Sequence, residues 1–124
     1  MRSRNSVGGQ RIRPCSPLLE EIHNVGRAIV GEFREGMDRL NRERELTMEE
    51  QHLVDNLPPN NALARKYATL NSASQILWEL ALDKQQQRNL GNDGGVYTME
   101  QLGQRLNVAA NRWQQFKREL NEQA

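Results

Sequence analysis

The sequence predicts an all-α protein, a small helical bundle with one long N-terminal helix. Leu, Glu, Gln, Arg and Ala, which favour helices, are abundant, and the 124 residues include only four prolines. Hydrophobic residues make up 36% of the chain and aromatic residues 5%. A compact core would therefore be thin, and long helices that share apolar faces, within one chain or between subunits, fit this composition better than a closed monomeric globule. At this length we expect one domain, or one small domain with an arm.

Residues 1–15 are polar and show no hydrophobic periodicity, which predicts a flexible basic arm. The charged side chains of the first nineteen residues are Arg2, Arg4, Arg11 and Arg13. The net charge of the chain is +1, so removing these four positive charges leaves −3 on the rest. Such an arm is suited to a DNA minor groove, to RNA or to an acidic protein surface, and equally to a disordered, solubilising terminus.

Residues 16–90 are predicted to form the helical core or oligomerisation region. Ser16 and Pro17 are typical of a helix start, and an apolar stripe with spacings of three and four follows at Ile22, Val25, Ile29, Phe33, Met37 and Leu40. The stripe predicts one helix over 17–45. Glycines at 26, 31 and 36 each cost ~1 kcal/mol relative to Ala in a helix interior, so we expect close packing against another helix. We interpret the stripe as a dimer or oligomer interface; the alternative is a long core helix.

Two further helix starts lie between residues 47 and 75. Thr47 and Glu50 fit a capping box that opens a short helix, and Pro58–Pro59 ends that helix near Leu57. Asn60–Asn61 can cap the next helix, and Ser72 with Gln75 offers a further cap, so a kink or break is expected at 72–75. The residues expected to face the core are Leu63, Tyr67, Leu70, Ile76, Leu77, Leu80 and Ala81, with Trp78 and Leu82 widening the stripe.

A glycine-rich stretch at 91–97 predicts a hinge before a separate C-terminal unit, residues 98–124. Thr98 and Gln101 fit a second capping box. Leu102 and Leu106 follow one helical turn apart, and Gly103 between them lets another backbone approach closely. Because Asn107 tolerates a left-handed conformation, we expect a turn there between two helices, Met99–Leu106 and Ala109–Leu120.

The order of small, apolar and turn residues over 98–120 resembles the helix-turn-helix motif of many small DNA-binding domains. The resemblance implies that residues 72–90 form a supporting first helix of a three-helix unit and that the helix at 109–118 enters the major groove. The inside of the motif would contain Leu102, Gly103, Leu106, Val108, Trp113 and Phe116. The DNA-binding residues would be Asn111, Arg112, Gln114, Gln115, Lys117 and Arg118, whose types suit base and phosphate contacts.

No catalytic constellation is evident, and we predict a protein that is not an enzyme. His23 and His52 lack a second ligand at metal-binding spacing, and Cys15 lacks a dedicated base. No catalytic residue, metal site, cofactor or small-molecule substrate is predicted. The lone cysteine and the absence of any apolar run of membrane-spanning length predict a soluble, intracellular protein, cytoplasmic or nuclear, without membrane contact.

Two functional hypotheses remain open. In the first, the chain binds DNA through 98–120, forms a homo-oligomer through helix 17–45 and uses the arm as an auxiliary contact. In the second, it is a small all-α structural, assembly or adaptor protein, for example a virion or complex subunit. Its protein partners would then be anchored by Trp78, Trp113 and Phe116.

Overall fold

The computed structural model describes residues 31–92 and 94–123, and within these ranges the chain is entirely helical, with turns and loops between the helices. Helix α1 covers 31–43, α2 is Met48–Asp55, α3 is Ala62–Asn89 and α4 is Met99–Glu122. The all-α prediction is therefore confirmed. Residues 1–30, with the predicted arm and the first part of the predicted long helix, lie outside the described ranges.

The local signals for helix starts are confirmed at all three described N-termini. The hydroxyl of Thr47 accepts from the Glu50 N–H, and the Glu50 carboxylate accepts from the Thr47 N–H, each at 3.0 Å. Asn61 caps α3 through its side-chain oxygen, which accepts from the Leu63 N–H at 2.7 Å. Thr98 and Gln101 form the second reciprocal box at the start of α4. Each cap supplies partners for amides that have no acceptor within the first turn.

Helix α3 is continuous through 72–75, so the predicted break there is wrong. Ser74 is buried, and its hydroxyl accepts from Trp113 Nε1 at 2.8 Å. The Ser74 hydroxyl thus supplies an acceptor for the buried indole N–H of Trp113. The Gln75 side chain forms hydrogen bonds with Arg44 and Glu79. Ser72, the predicted cap, lies inside the continuous helix and is exposed, so the backbone ladder of α3 continues past it.

Helix α4 is also continuous, so the predicted turn at Asn107 and the separate helices 99–106 and 109–120 are wrong. Asn107 Nδ2 donates to the Gly103 carbonyl at 2.9 Å, and Asn107 Oδ1 accepts from Arg39 Nη1 at 2.8 Å. The side chain is therefore satisfied within the helix and by α1. It does not need the left-handed conformation that its residue type tolerates.

The loop at 90–98 reverses the chain between α3 and α4. Gly91 and Gly95 have φ values of 78° and 132°, in the region that only glycine adopts readily. Near the loop, Lys84 Nζ in α3 lies 3.4 Å from the Gly94 carbonyl. At the other end of the two helices, the ring centroids of Tyr67 in α3 and Phe116 in α4 are 5.8 Å apart. Helices α3 and α4 are therefore antiparallel neighbours.

The core lies along this antiparallel pair. In α4, buried or half-buried residues follow the alternating spacing of three and four that is typical of a helix–helix seam: Met99, Leu102, Leu106, Ala109, Trp113, Phe116 and Leu120. In α3 the corresponding series is Leu63, Tyr67, Leu70, Ser74, Leu77 and Ala81. Trp113 packs edge-on against both Tyr67 and Phe116, at centroid distances of 6.0 and 5.9 Å. Aromatic pairs of this geometry add to the free energy of burial.

Helix α1 approaches α4 at two glycines. A Cβ at Gly36 would lie 2.8 Å from Leu106 Cβ, and one at Gly103 would lie 3.2 Å from Phe33 Cα. The close packing expected of the glycine-bearing helix is therefore present at Gly36, whereas Gly31 faces open space. Phe33, Met37 and Leu40 are buried by this contact.

Candidate functional site

The residues predicted to bind DNA lie on two adjoining sides of α4. Three of them face α1 and the segment after it. Asn111 Oδ1 accepts from Arg39 Nη2, Gln114 Nε2 donates to Glu43 at 2.9 Å, and Lys117 Nζ donates to the Glu45 carbonyl at 3.1 Å. Lys117 also lies 3.6 Å from the Glu43 carboxylate. These side chains are engaged within the chain, beside carboxylates that would repel a phosphate backbone.

Of the other three predicted DNA-binding residues, one lies on that same side and two lie further around the helix. Arg112 and Gln115 line the neighbouring side of α4, where Gln115 donates to Glu119 at 3.2 Å. Arg118 is exposed on the side of the helix that faces α1. Arg118 thus shares the α1 side of the helix with Asn111 and Gln114, whereas Arg112 projects away from α1.

The predicted oligomer interface is only partly described. Phe33, Met37 and Leu40 lie inside the core of one chain, at 2%, 8% and 0% exposure. Ile22, Val25 and Ile29 lie outside the described residues, as do Arg2, Arg4, Arg11, Arg13, His23 and Cys15. His52 is exposed on α2.

An open groove runs between α3 and α4 on the side away from α1. At 100° per residue, Val108 and Arg112 project from α4 about 100° and 140° around the helix from Asn107, which contacts α1. The groove has two adjoining sections of about 550 and 750 Å³, which share Leu70, Ala73 and Arg112. We call this feature the α3–α4 groove.

The α3–α4 groove has an apolar floor and apolar walls. Ala73, Leu70 and Leu77 come from α3, and Ala109 comes from α4. Three large apolar side chains in its walls remain strongly exposed: Ile76 at 61%, Val108 at 46% and Leu80 at 39%. The expectation that these three residues belong to the core is wrong, because the facing helix α4 covers only one side of the wide apolar stripe of α3. Leu82, also expected to widen the core stripe, is exposed outside the groove.

Basic residues dominate the charge at the edges of the α3–α4 groove. Arg65, Lys66, Arg105 and Arg112 line it, and Glu119 is the acidic residue among its described lining. Lys66 pairs with Glu119 at 2.9 Å, and this bond lowers the pKa of the Glu119 carboxyl. The Arg105 guanidinium lies 4.8 Å from the centroid of the Tyr97 ring. Arg112 makes no hydrogen bond or ion pair with another described residue.

The base of the α3–α4 groove is held by buried polar and aromatic contacts. Ser74 lines the groove and accepts the hydrogen bond from Trp113, which itself is 1% exposed. Phe116 lines the neighbouring section and packs on Trp113. A satisfied, close-packed base of this kind holds the two helices at a fixed separation, so the groove is formed before any ligand arrives.

Sequence reasoning missed this groove, although a signal for it exists. Five neighbouring positions of α3 are apolar, which is more than one helix–helix seam requires: Ile76, Leu77, Leu80, Ala81 and Leu82. The excess width indicates a second apolar contact surface. Of the predicted binding residues, Arg112 and Gln115 do lie in the groove.

Comparisons with known proteins find no matching family model, no matching curated protein and no matching solved structure. Within residues 31–92 and 94–123, no helix combines the length and apolarity needed to cross a membrane. The same ranges contain no group of three or more His, Cys, Asp or Glu side chains that could hold a metal ion.

Proposed function

We propose that the protein is a non-enzymatic helical binding protein that engages a protein partner through the α3–α4 groove. The observation that carries this proposal is the groove itself, an elongated apolar channel that is bordered by basic residues and left open by the packing of residues 31–92 and 94–123. Contiguous exposed apolar surface with a polar border is typical of protein interaction sites. Arginine and aromatic side chains are also the residues that contribute most to such interfaces.

DNA binding is the second candidate function, predicted from the sequence. The basic residues beside the groove favour it, since phosphates are bound by arginine and lysine. The engagement of Asn111, Gln114 and Lys117 with α1 and Glu43 reduces the surface that could read bases. We therefore place a protein partner first.

The test uses an uncharged amphipathic peptide of about 18 residues, which spans about 27 Å as a helix. Leu occupies its a and d positions, Gln fills the remainder, and both ends are capped. Isotope-labelled full-length protein is titrated with the peptide and followed by NMR. We expect saturable chemical-shift changes confined to residues of the α3–α4 groove, such as Ala73, Ile76 and Val108.

A matched pair of variants makes the test specific. Ala73→Arg fills the shared centre of the groove, whereas Ala68→Arg places the same side chain on the far side of α3, at an exposed position. Arg is nearly as good a helix former as Ala, so both variants should fold. Peptide binding should be lost only in Ala73→Arg. Equal effects of the two substitutions, or no peptide binding by the wild type, would overturn the proposal.

The same protein titrated with random-sequence duplex DNA addresses the second candidate. Binding that weakens steeply as salt rises, and that is lost on Arg112→Ala, would favour a DNA-binding protein. No DNA binding at low salt, together with groove-confined peptide binding, would favour a protein partner.

A further inference from the structure

We propose that the occupant of the α3–α4 groove is an amphipathic helix that carries acidic residues on both sides of its apolar stripe. This inference rests on the proposed function and adds the chemistry of the partner. It follows from three properties of the groove: its length, the kind of wall it offers and the sign of the charge along its edges.

The length and walls of the groove fit a helix. Its lining on α3 extends from Ala62 to Leu80, which at 1.5 Å per residue is about 27 Å, or five helical turns. Both walls are helices, whose backbone groups are already paired, so they offer no ladder for an added β-strand. A helix in this position would pack against α3 and α4 as α1 packs on the other side of α4, and would complete a four-helix arrangement.

The positive charge along the groove favours a partner that carries negative charge. Four basic side chains and one carboxylate line the described part, and that carboxylate, on Glu119, is already paired with Lys66. Arg112 lies at the junction of the two sections without a partner among the described residues. Acidic residues at the e and g positions of a bound helix would face these cations, the arrangement that sets partner choice in helix–helix association.

The same charges argue against a second copy of this chain as the occupant. A two-fold interface places the same surface patch on both subunits. Two such grooves facing each other would bring the arginines and lysine of one copy close to those of the other. Like charges brought together in this way are unfavourable and oppose association.

The test compares three peptides with the same Leu stripe and about 18 residues, flanked by Glu, by Gln or by Lys. Exposed ion pairs each contribute modestly, so several along the groove should make the Glu peptide bind about tenfold or more tighter than the Lys peptide at low salt. The difference should shrink as salt screens the pairs. Affinities are measured by calorimetry on the full-length protein.

Arg112→Glu should reduce the preference for the Glu peptide, whereas Arg118→Glu should leave it unchanged. Arg118 is an exposed arginine of the same helix that does not line the groove, so it controls for net charge. Equal binding of the Glu and Lys peptides, with the Gln peptide still bound, would overturn the acidic partner and leave the proposed function standing. Failure of all three peptides to bind would overturn both proposals.

A second copy remains a distinct outcome of this experiment. The mass of the unliganded protein is measured at the concentrations used for titration, for wild type and for Ala73→Arg. We expect a mass that is the same for both proteins. Self-association that Ala73→Arg abolishes would identify a second copy as the occupant and overturn the acidic helix.

Discussion

At the scale of single residues, two glycines set how closely α1 and α4 approach. Gly103 allows the backbone of α1 at Phe33 to lie against α4, and Gly36 leaves room for the Leu106 side chain. Each glycine costs up to about 1 kcal/mol in a helix relative to Ala, through the entropy of the unfolded chain. The close contact buries Phe33, Met37 and Leu40, and burial of large apolar side chains outweighs a cost of this size.

Two alanine substitutions in α1 should therefore change stability in opposite directions. Gly31→Ala meets no atom within 4 Å, so it should stabilise the protein by up to about 1 kcal/mol. Gly36→Ala would place Cβ 2.8 Å from Leu106 Cβ, which cannot rotate away, and should destabilise the protein by about 1–3 kcal/mol. Urea unfolding followed by circular dichroism measures both. Stabilisation by both substitutions would mean that the α1–α4 crossing is wider than described.

At the scale of helices, local signals predicted where each helix begins but not whether it continues. The caps at Thr47, Asn61 and Thr98 involve neighbours in the sequence, so the sequence alone was sufficient to find them. The signals for a break, Ser72 with Gln75 and Asn107, are equally local. Ser74, inside the first segment, is bonded to Trp113, and Asn107 is bonded to Arg39, partners that lie 39 and 68 positions away. A partner at that distance decides the outcome, and no pattern within one segment reveals it.

The α3–α4 groove was unpredictable for a related reason. Hydrophobic periodicity identifies which side of α3 is apolar, but the number of helices that cover that side is a property of the assembled fold. Leu63 and Ala81 are covered by the chain's own packing, whereas Ile76 and Leu80 remain open. Arg112 was predicted as a binding residue from its position in the helix-turn-helix pattern and from its residue type. That reasoning is local, and the structure leaves Arg112 exposed in the groove.

Asn107→Gly tests the continuity of α4 in solution. In an uninterrupted helix, this substitution removes the hydrogen bond from Arg39 and introduces glycine, which has the lowest helix propensity apart from proline. It should therefore lower the free energy of unfolding by roughly 1–2 kcal/mol. Gln104→Gly, at an exposed position about one turn earlier in α4, should cost less, because only helix propensity is lost. The measurement is the free energy of unfolding in urea. A neutral or stabilising Asn107→Gly would instead indicate a left-handed turn at this position.

At the scale of the whole molecule, α4 separates two electrostatically different surfaces. On the α1–α2 side, Glu43 contacts Gln114 and Lys117, and Glu50 accepts from Asn121 Nδ2 at 2.9 Å. On the groove side the cations predominate. The carboxylates of Glu43 and Glu50 are therefore paired inside the chain, while Arg112 in the groove has no partner among the described residues. This separation is the physical basis for proposing that the partner is acidic.

The satisfied carboxylates also predict how stability depends on pH. Desolvation by itself would raise the pKa of Glu50, but the bonds from the Thr47 N–H and Asn121, together with the charge of Lys117, lower the pKa below its usual 4.5. The folded state consequently binds fewer protons than the unfolded state as pH falls below that value. The stabilisation is complete above the unfolded pKa and is lost as pH falls through the folded pKa.

Glu50→Gln isolates this contribution. Glutamine at the same position of the second capping box, Gln101, accepts from the Thr98 N–H at 2.8 Å, so the substituted side chain can keep the cap of α2 while losing the titrating group. We expect the free energy of unfolding to fall less steeply for Glu50→Gln than for wild type between about pH 4.5 and about pH 3. Urea unfolding at a series of pH values measures both slopes. Parallel slopes would show that the Glu50 carboxylate gains nothing from Asn121 and Lys117, and that the contact between α2 and α4 is held by apolar packing alone.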